Sequence, residues 1–96
     1  MNLEECRDSL KCDDPPAELD FALKGLWWDA KDDWTKAHES AQQDEGSRGA
    51  WVHAYLHRKE GDAENAAYWY GRANRATAQG PLADEWLAIT SALLAS

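Results

Sequence analysis

Residues 59 to 66, KEGDAENA, constrain this chain more than any other stretch. Gly61 suits the left-handed position that closes one helix, and Asp62, directly after it, suits the cap that opens the next. With no residue between the two signals, the flanking helices must turn back on each other as a tight antiparallel hairpin. The first of them, about Gly49 to Glu60, is apolar nearly all round: Ala50, Trp51, Val52, Ala54, Tyr55 and Leu56. A helix without a polar side is buried on more than one face. The remaining chain therefore has to supply at least two further layers around it.

Caps and breakers supply them. DDPPAELD puts prolines and acids where a helix begins, which predicts a first helix from about Pro16 to Ala30 with Leu19, Leu23, Leu26, Trp27 and Ala30 along one face. KDD interrupts it, and Asp33 caps a second helix from Trp34 to about Gln43, with Trp34, Ala37 and Ala41 in a stripe and His38 beside it. DEGSRG is a turn before the apolar third helix. The fourth runs from Ala63 to about Ala73. Pro81 opens a fifth, on which Leu82, Trp86, Ile89 and Leu93 recur at helical spacing. The expected fold is all-α: two antiparallel helix-turn-helix hairpins and a closing C-terminal helix, five helices in one domain from residue 15 to 96. Residues 1 to 14 are expected to be an acidic segment, loosely ordered or a short helix against the body.

A shift of 29 residues lays Asp33 on Asp62, Ala37 on Ala66, Gly25 on Ala54, Leu26 on Tyr55 and Trp27 on Leu56, so the two hairpins read as an internal repeat. The pattern resembles a tetratricopeptide repeat, in which an aromatic, a small residue and a second aromatic on one helix face an alanine and an aromatic four apart on the other. The first unit supplies Phe21, Gly25, Trp28 and Ala37, with Ala41 in place of the last aromatic; the second supplies Ala66, Tyr70 and Ala73. The front half of the second unit departs from it, since Ala50, His53 and His57 stand where a large residue, a leucine and an aromatic belong. The resemblance covers about residues 17 to 75 and implies a protein-binding scaffold in which both imidazoles are at least partly buried. The string HAYLHRKEGD followed by NAAYWY also resembles small uncharacterised bacterial proteins.

The net charge of −8 is unevenly spread. Residues 1 to 20 hold seven acids and two bases, or −5, which leaves −3 for the rest, while residues 46 to 76 carry a local +2 through Arg48, Arg58, Lys59, Arg72 and Arg75. That balance argues against nucleic acid or an anionic membrane as partner. An acidic N-terminus without an apolar run, and the lack of any membrane-length stretch, lead us to expect a soluble, cytoplasmic protein. Cys6 and Cys12 match no metal spacing and are expected as free thiols.

Two constellations could carry chemistry. His53 and His57 lie on successive turns of one helix face, a spacing that lets two imidazoles hold one ion, but Ala54 stands where a zinc protease has its glutamate. A third ligand would have to come from His38, Glu39 or Asp29. Arg58, Asn65, Trp69 and Arg72, with Trp51 as a stacking wall, could clamp a carboxylate or phosphate. The opposing possibility is that Arg58 and Lys59 complement the helix dipole and Arg72 pairs with Glu64 or Glu60. There is no glycine-rich phosphate loop, CxxC pair or nucleophile elbow, and no cofactor is expected.

Six tryptophans in 96 residues fit a small helical core filled by large rings, with Trp28 and Trp69 the hardest to hide. The leading expectation is thus a protein-binding module for a protein segment or a second copy of the chain, the apolar last helix offering a self-complementary face. The alternative is an anion- or metal-binding site on His53, His57, Arg58, Asn65, Trp69 and Arg72. An enzyme, with His53 or His57 as general acid or base, would be the extreme form of that alternative. The scaffold reading predicts that His57→Phe remains folded with an undiminished melting temperature, because an aromatic is what a repeat of this kind holds there. Circular dichroism during heating checks it, and a drop of several degrees would count against that equivalence.

Overall fold

Gly61 adopts φ +91°, and the amide after it closes the end of its helix by donating from Asp62 N to His57 O at 2.9 Å. Asp62 in turn accepts from Asn65 N at 3.2 Å, so one dipeptide ends a helix and begins another. The computed structural model describes all 96 residues and contains no β-strand. Helix α1 spans Leu3–Asp8 and runs into a 3-10 turn, Ser9–Lys11; α2 spans Phe21–Ala30, α3 Trp34–Gln42, α4 Ser47–Glu60, α5 Ala63–Ala73 and α6 Leu82–Ala95. The all-α class stands, with six helices rather than five because part of the acidic N-terminal segment is helical.

The first long helix begins at Phe21 and not near Pro16. Asp20 caps it, accepting from Leu23 N at 2.9 Å, and residues 15 to 20 form a turn whose Leu19 is still buried. The N-terminal segment is docked on this helix. The Trp27 indole donates to Ser9 Oγ at 3.0 Å, Lys31 Nζ donates to the carbonyls of Leu10 and Cys12, and Cys6 lies in the main core. Burial pushes the Cys6 thiol above its usual range, which leaves it an inert packing group, while Cys12 is exposed.

Helix α4 is the centre of the molecule. It pairs with α5 as a hairpin and packs on α2, α3 and α6, and eight of its residues are buried, from Gly49 through His57. Its last turn is tied to buried carboxylates on both sides: Lys59 and the Tyr55 hydroxyl each reach Asp29 of α2 at 2.8 Å, and Arg58 reaches Glu85 of α6 at 2.8 Å, with the Tyr70 hydroxyl donating to the other Glu85 oxygen. Burial, then the adjacent carboxylate, pushes both tyrosine hydroxyls far above their ordinary pKa. The apolar stripe of α6 is consumed inside the chain. Trp86, Ile89 and Leu93 join the main core, and the Trp86 indole donates to Leu26 O at 2.9 Å. No helix is long and apolar enough to cross a membrane.

Helices α2, α3 and α4 approach closely at Gly25, where an added Cβ would stand 3.1 Å from Val52 Cγ1 and 3.2 Å from Ala37 O. A backbone oxygen yields little, so larger side chains force the helices apart. Gly25→Val should destabilise the protein by about 1–3 kcal/mol through overpacking, measured by urea unfolding; an unchanged midpoint would mean that α2 and α3 are not held this tightly.

Candidate functional site

Three helices bring their chemistry to one place. On α3, Trp34, His38 and Gln42 recur every fourth residue and share a face. On α4 the same spacing aligns His53 with His57, and on α5 Trp69 and Arg72 stand one turn apart. Together with Asp44 and Glu45 from the α3–α4 turn, these residues except Trp34 line an open groove of about 630 Å³. No residue of α6 takes part in it.

The three imidazoles form one cluster. His53 Nε2 lies 3.1 Å from His38 Nε2, and one ring nitrogen from each of His38, His53 and His57 falls within 4.8 Å of the other two. Each ring is braced. His38 stacks on Trp34 with centroids 4.8 Å apart, and His53 stacks on Trp69 at 4.2 Å. His57 Nδ1 is held by Glu60 Oε1 at 2.6 Å, which leaves its Nε2 free. Such packing fixes ring planes before any ligand arrives.

Burial also sets the charge of His38 and His53. His53 is only 5 % exposed, and loss of water first, then the neighbouring His38 and His57, pulls its pKa down to about 4. His38 is lowered too, by desolvation and then by His57, with Glu60 and Glu39 opposing. Near neutral pH both offer lone pairs in place of charge. The groove thus has nitrogen donors at its base, Asp44 and Glu45 at its edge, and one cation. That cation, Arg72, has no carboxylate partner; it lies 5.2 Å above the Trp69 ring and donates to the Tyr68 hydroxyl at 3.3 Å.

Of the residues singled out from sequence, His53, His57, Trp69 and Arg72 meet here, and of the candidates for a third position His38 joins them. Arg58 does not. One residue beyond His57 is a rotation of about 100° on the helix, which turns it to Glu85 and to the Gly80 carbonyl. Asn65 shares the Trp69 side of α5, but its amide folds back to donate to Asp62 Oδ2 at 3.0 Å. Trp51 points away from His53 and is covered by Arg75 at 3.9 Å. Asp29 is committed to Tyr55 and Lys59 on another face. Gln42, Asp44 and Glu45 were not foreseen; the four-residue recurrence of Trp34, His38 and Gln42 was the available signal, while Asp44 and Glu45 sit in a turn whose direction no periodicity reveals.

A second cleft, of about 410 Å³, lies between α2, α4 and α6, with Leu10, Leu82, Trp86 and Leu87 among its walls. Its floor is the Asp29, Tyr55 and Lys59 network, whose polar groups already satisfy one another. The histidine groove is the place where polar groups face outward with unspent capacity. No protein-family model, curated protein or solved structure matches this chain.

The depressed histidines make stability depend on pH. Between pH about 6.5 and 4 the unfolded chain binds a proton at residue 53 that the native state refuses, so stability present above this window is lost as pH falls through it. Urea unfolding at pH 7 and pH 5 in chelator-treated buffer should show a larger acid loss for the natural protein than for His53→Gln. Equal losses would show that His53 protonates freely in the folded state.

Proposed function

We propose that this protein is a small binding module, built as two stacked tetratricopeptide-like hairpins, whose ligand site is the histidine groove. The scaffold reading is supported by the order of packing: α2 pairs with α3, α4 with α5, and α3 and α2 both pack on α4. The single observation that carries the function is the convergence of His38, His53 and His57 with an unpaired Arg72 in an open, polar concavity. A site of this kind selects a small polar ligand that engages imidazole nitrogens, and its composition is unlike the apolar trough that captures a helix or strand.

A protein segment as ligand has weaker support. Helix α6 packs on both α2 and α4, so the chain's own C-terminus already covers the broad face that the first helices of the two hairpins build. Catalysis has weaker support still, because no nucleophile stands beside the imidazoles and the one ring held by a carboxylate, His57, takes it from its own helix neighbour.

A panel of divalent metals, phosphorylated metabolites and small carboxylates, added to tag-free protein, tests this reading. A ligand at a hundredfold excess over its Kd stabilises the native state by about 2.7 kcal/mol, a rise on the order of 10 °C in melting temperature for a chain this size. Backbone amide shifts caused by that ligand should cluster on α3, α4 and α5 around the groove. A flat panel, or shifts confined to the α2–α6 side, would overturn the assignment.

A further inference from the structure

We infer that the groove is a divalent transition-metal site in which His38, His53 and His57 supply three nitrogen ligands and the fourth position opens to the groove. The inference rests on the groove being the binding site and names what it takes. Two nitrogens bound to one tetrahedral zinc ion at ~2.0–2.1 Å stand about 3.3 Å apart. The Nε2 atoms of His38 and His53 stand 3.1 Å apart, with the third ring's ligand atom inside the same 4.8 Å cluster.

The proton inventory agrees. Two neutral imidazoles that meet through Nε2 share one proton between them, so an ion entering there requires only that the donor ring carry its proton on Nδ1 instead; no proton need leave the protein. His57 is already arranged in this manner. Its Nδ1 is bonded to the Glu60 carboxylate, the outer partner that orients a metal-binding imidazole and raises its basicity. The stacked rings of Trp34 and Trp69 hold the other two. Such a set is preorganised, and preorganisation is what a ligand otherwise has to supply from its own binding energy.

The donor set also decides which ions fit. Three imidazole nitrogens favour zinc, cobalt, nickel or copper over magnesium and calcium, which require oxygen. A second triad, His57, Glu60 and Asp62, is the weaker candidate, since both Asp62 oxygens are engaged by Asn65 at the start of α5. With the fourth position open, Arg72 beside it suits a small anion as the exogenous ligand.

Zinc titration by calorimetry, on tag-free protein carrying Cys12→Ser, should give one ion per chain, and cobalt should develop the intense visible bands of a four-coordinate site. His38→Gln, His53→Gln and His57→Gln should each weaken zinc on the order of a hundredfold, and Glu60→Gln roughly ten- to hundredfold. Glu60 is partly exposed, so its variant stays informative should a histidine variant fail to fold. Zinc binding that is unchanged in folded histidine variants and in Glu60→Gln would overturn the inference. If zinc and cobalt fail to bind while a carboxylate or phosphate from the panel still shifts groove amides, the metal assignment falls and the groove remains. If nothing binds, both fall.

Discussion

Helix α4 has no face that it can leave in water, and the architecture follows from that one constraint. Burying a side chain of Leu or Val size contributes roughly 1.5–3 kcal/mol, so a helix with Val52, Ala54, Tyr55 and Leu56 on different sides gains most by being surrounded. Here α2, α3, α5 and α6 surround it. Two of its last three residues then become electrostatic anchors. Lys59 neutralises Asp29 on one side and Arg58 neutralises Glu85 on the other, each carboxylate being almost fully buried. Removing the cation strands a buried carboxylate, which costs about 3–5 kcal/mol where both partners are buried and less here, since the Lys59 and Arg58 side chains are 34 % and 22 % exposed. The pairs therefore hold α2 and α6 to α4 in one register.

That register leaves the His53 and His57 side of α4 facing the groove. With α2 and α6 held by the C-terminal charges, the His53 and His57 side is roofed only in part, by α3 and α5, and the gap between these two helices is the groove. Burying His53 there is tolerable because it is neutral near pH 7 and because a flat aromatic neighbour packs against it; a good aromatic pair adds about 0.5–1.5 kcal/mol beyond its area. Trp34 and Trp69 thus have two tasks, each packing against the core with part of its ring surface while stacking on a histidine. The remaining exposed aromatics, Phe21 at 48 % and Tyr68 at 56 %, are each accompanied by a cation, Lys24 and Arg72 respectively.

The acidic N-terminal segment shows how composition and placement separate. Its charge is solvated, yet the few groups that are not charged do structural work: Cys6 fills the core, Ser9 receives the Trp27 indole, and two carbonyls receive Lys31. The first 20 residues carry −5 of the net −8, yet the part that docks is held by a buried thiol, the part-buried Leu3 and Leu10, and a handful of hydrogen bonds.

The helices themselves, their caps and the α4–α5 hairpin were legible in the sequence, because Gly61, Asp33, Asp62 and the apolar periodicities act over a few residues at a time. So was the alignment of His53 with His57, which a helical repeat of 3.6 residues guarantees. Helix starts were less so: Asp20 and not the proline pair begins α2, since a side-chain oxygen that satisfies a free amide outweighs a favourable φ angle. What only the tertiary structure decided was company. Whether His38 would meet the other two, whether Arg58 would face the groove or Glu85, and whether α6 would pack within the chain all depend on how helices far apart in sequence rotate about one another. That rotation is set by the sum of many weak contacts and two ion pairs with buried carboxylates, and no single residue carries it.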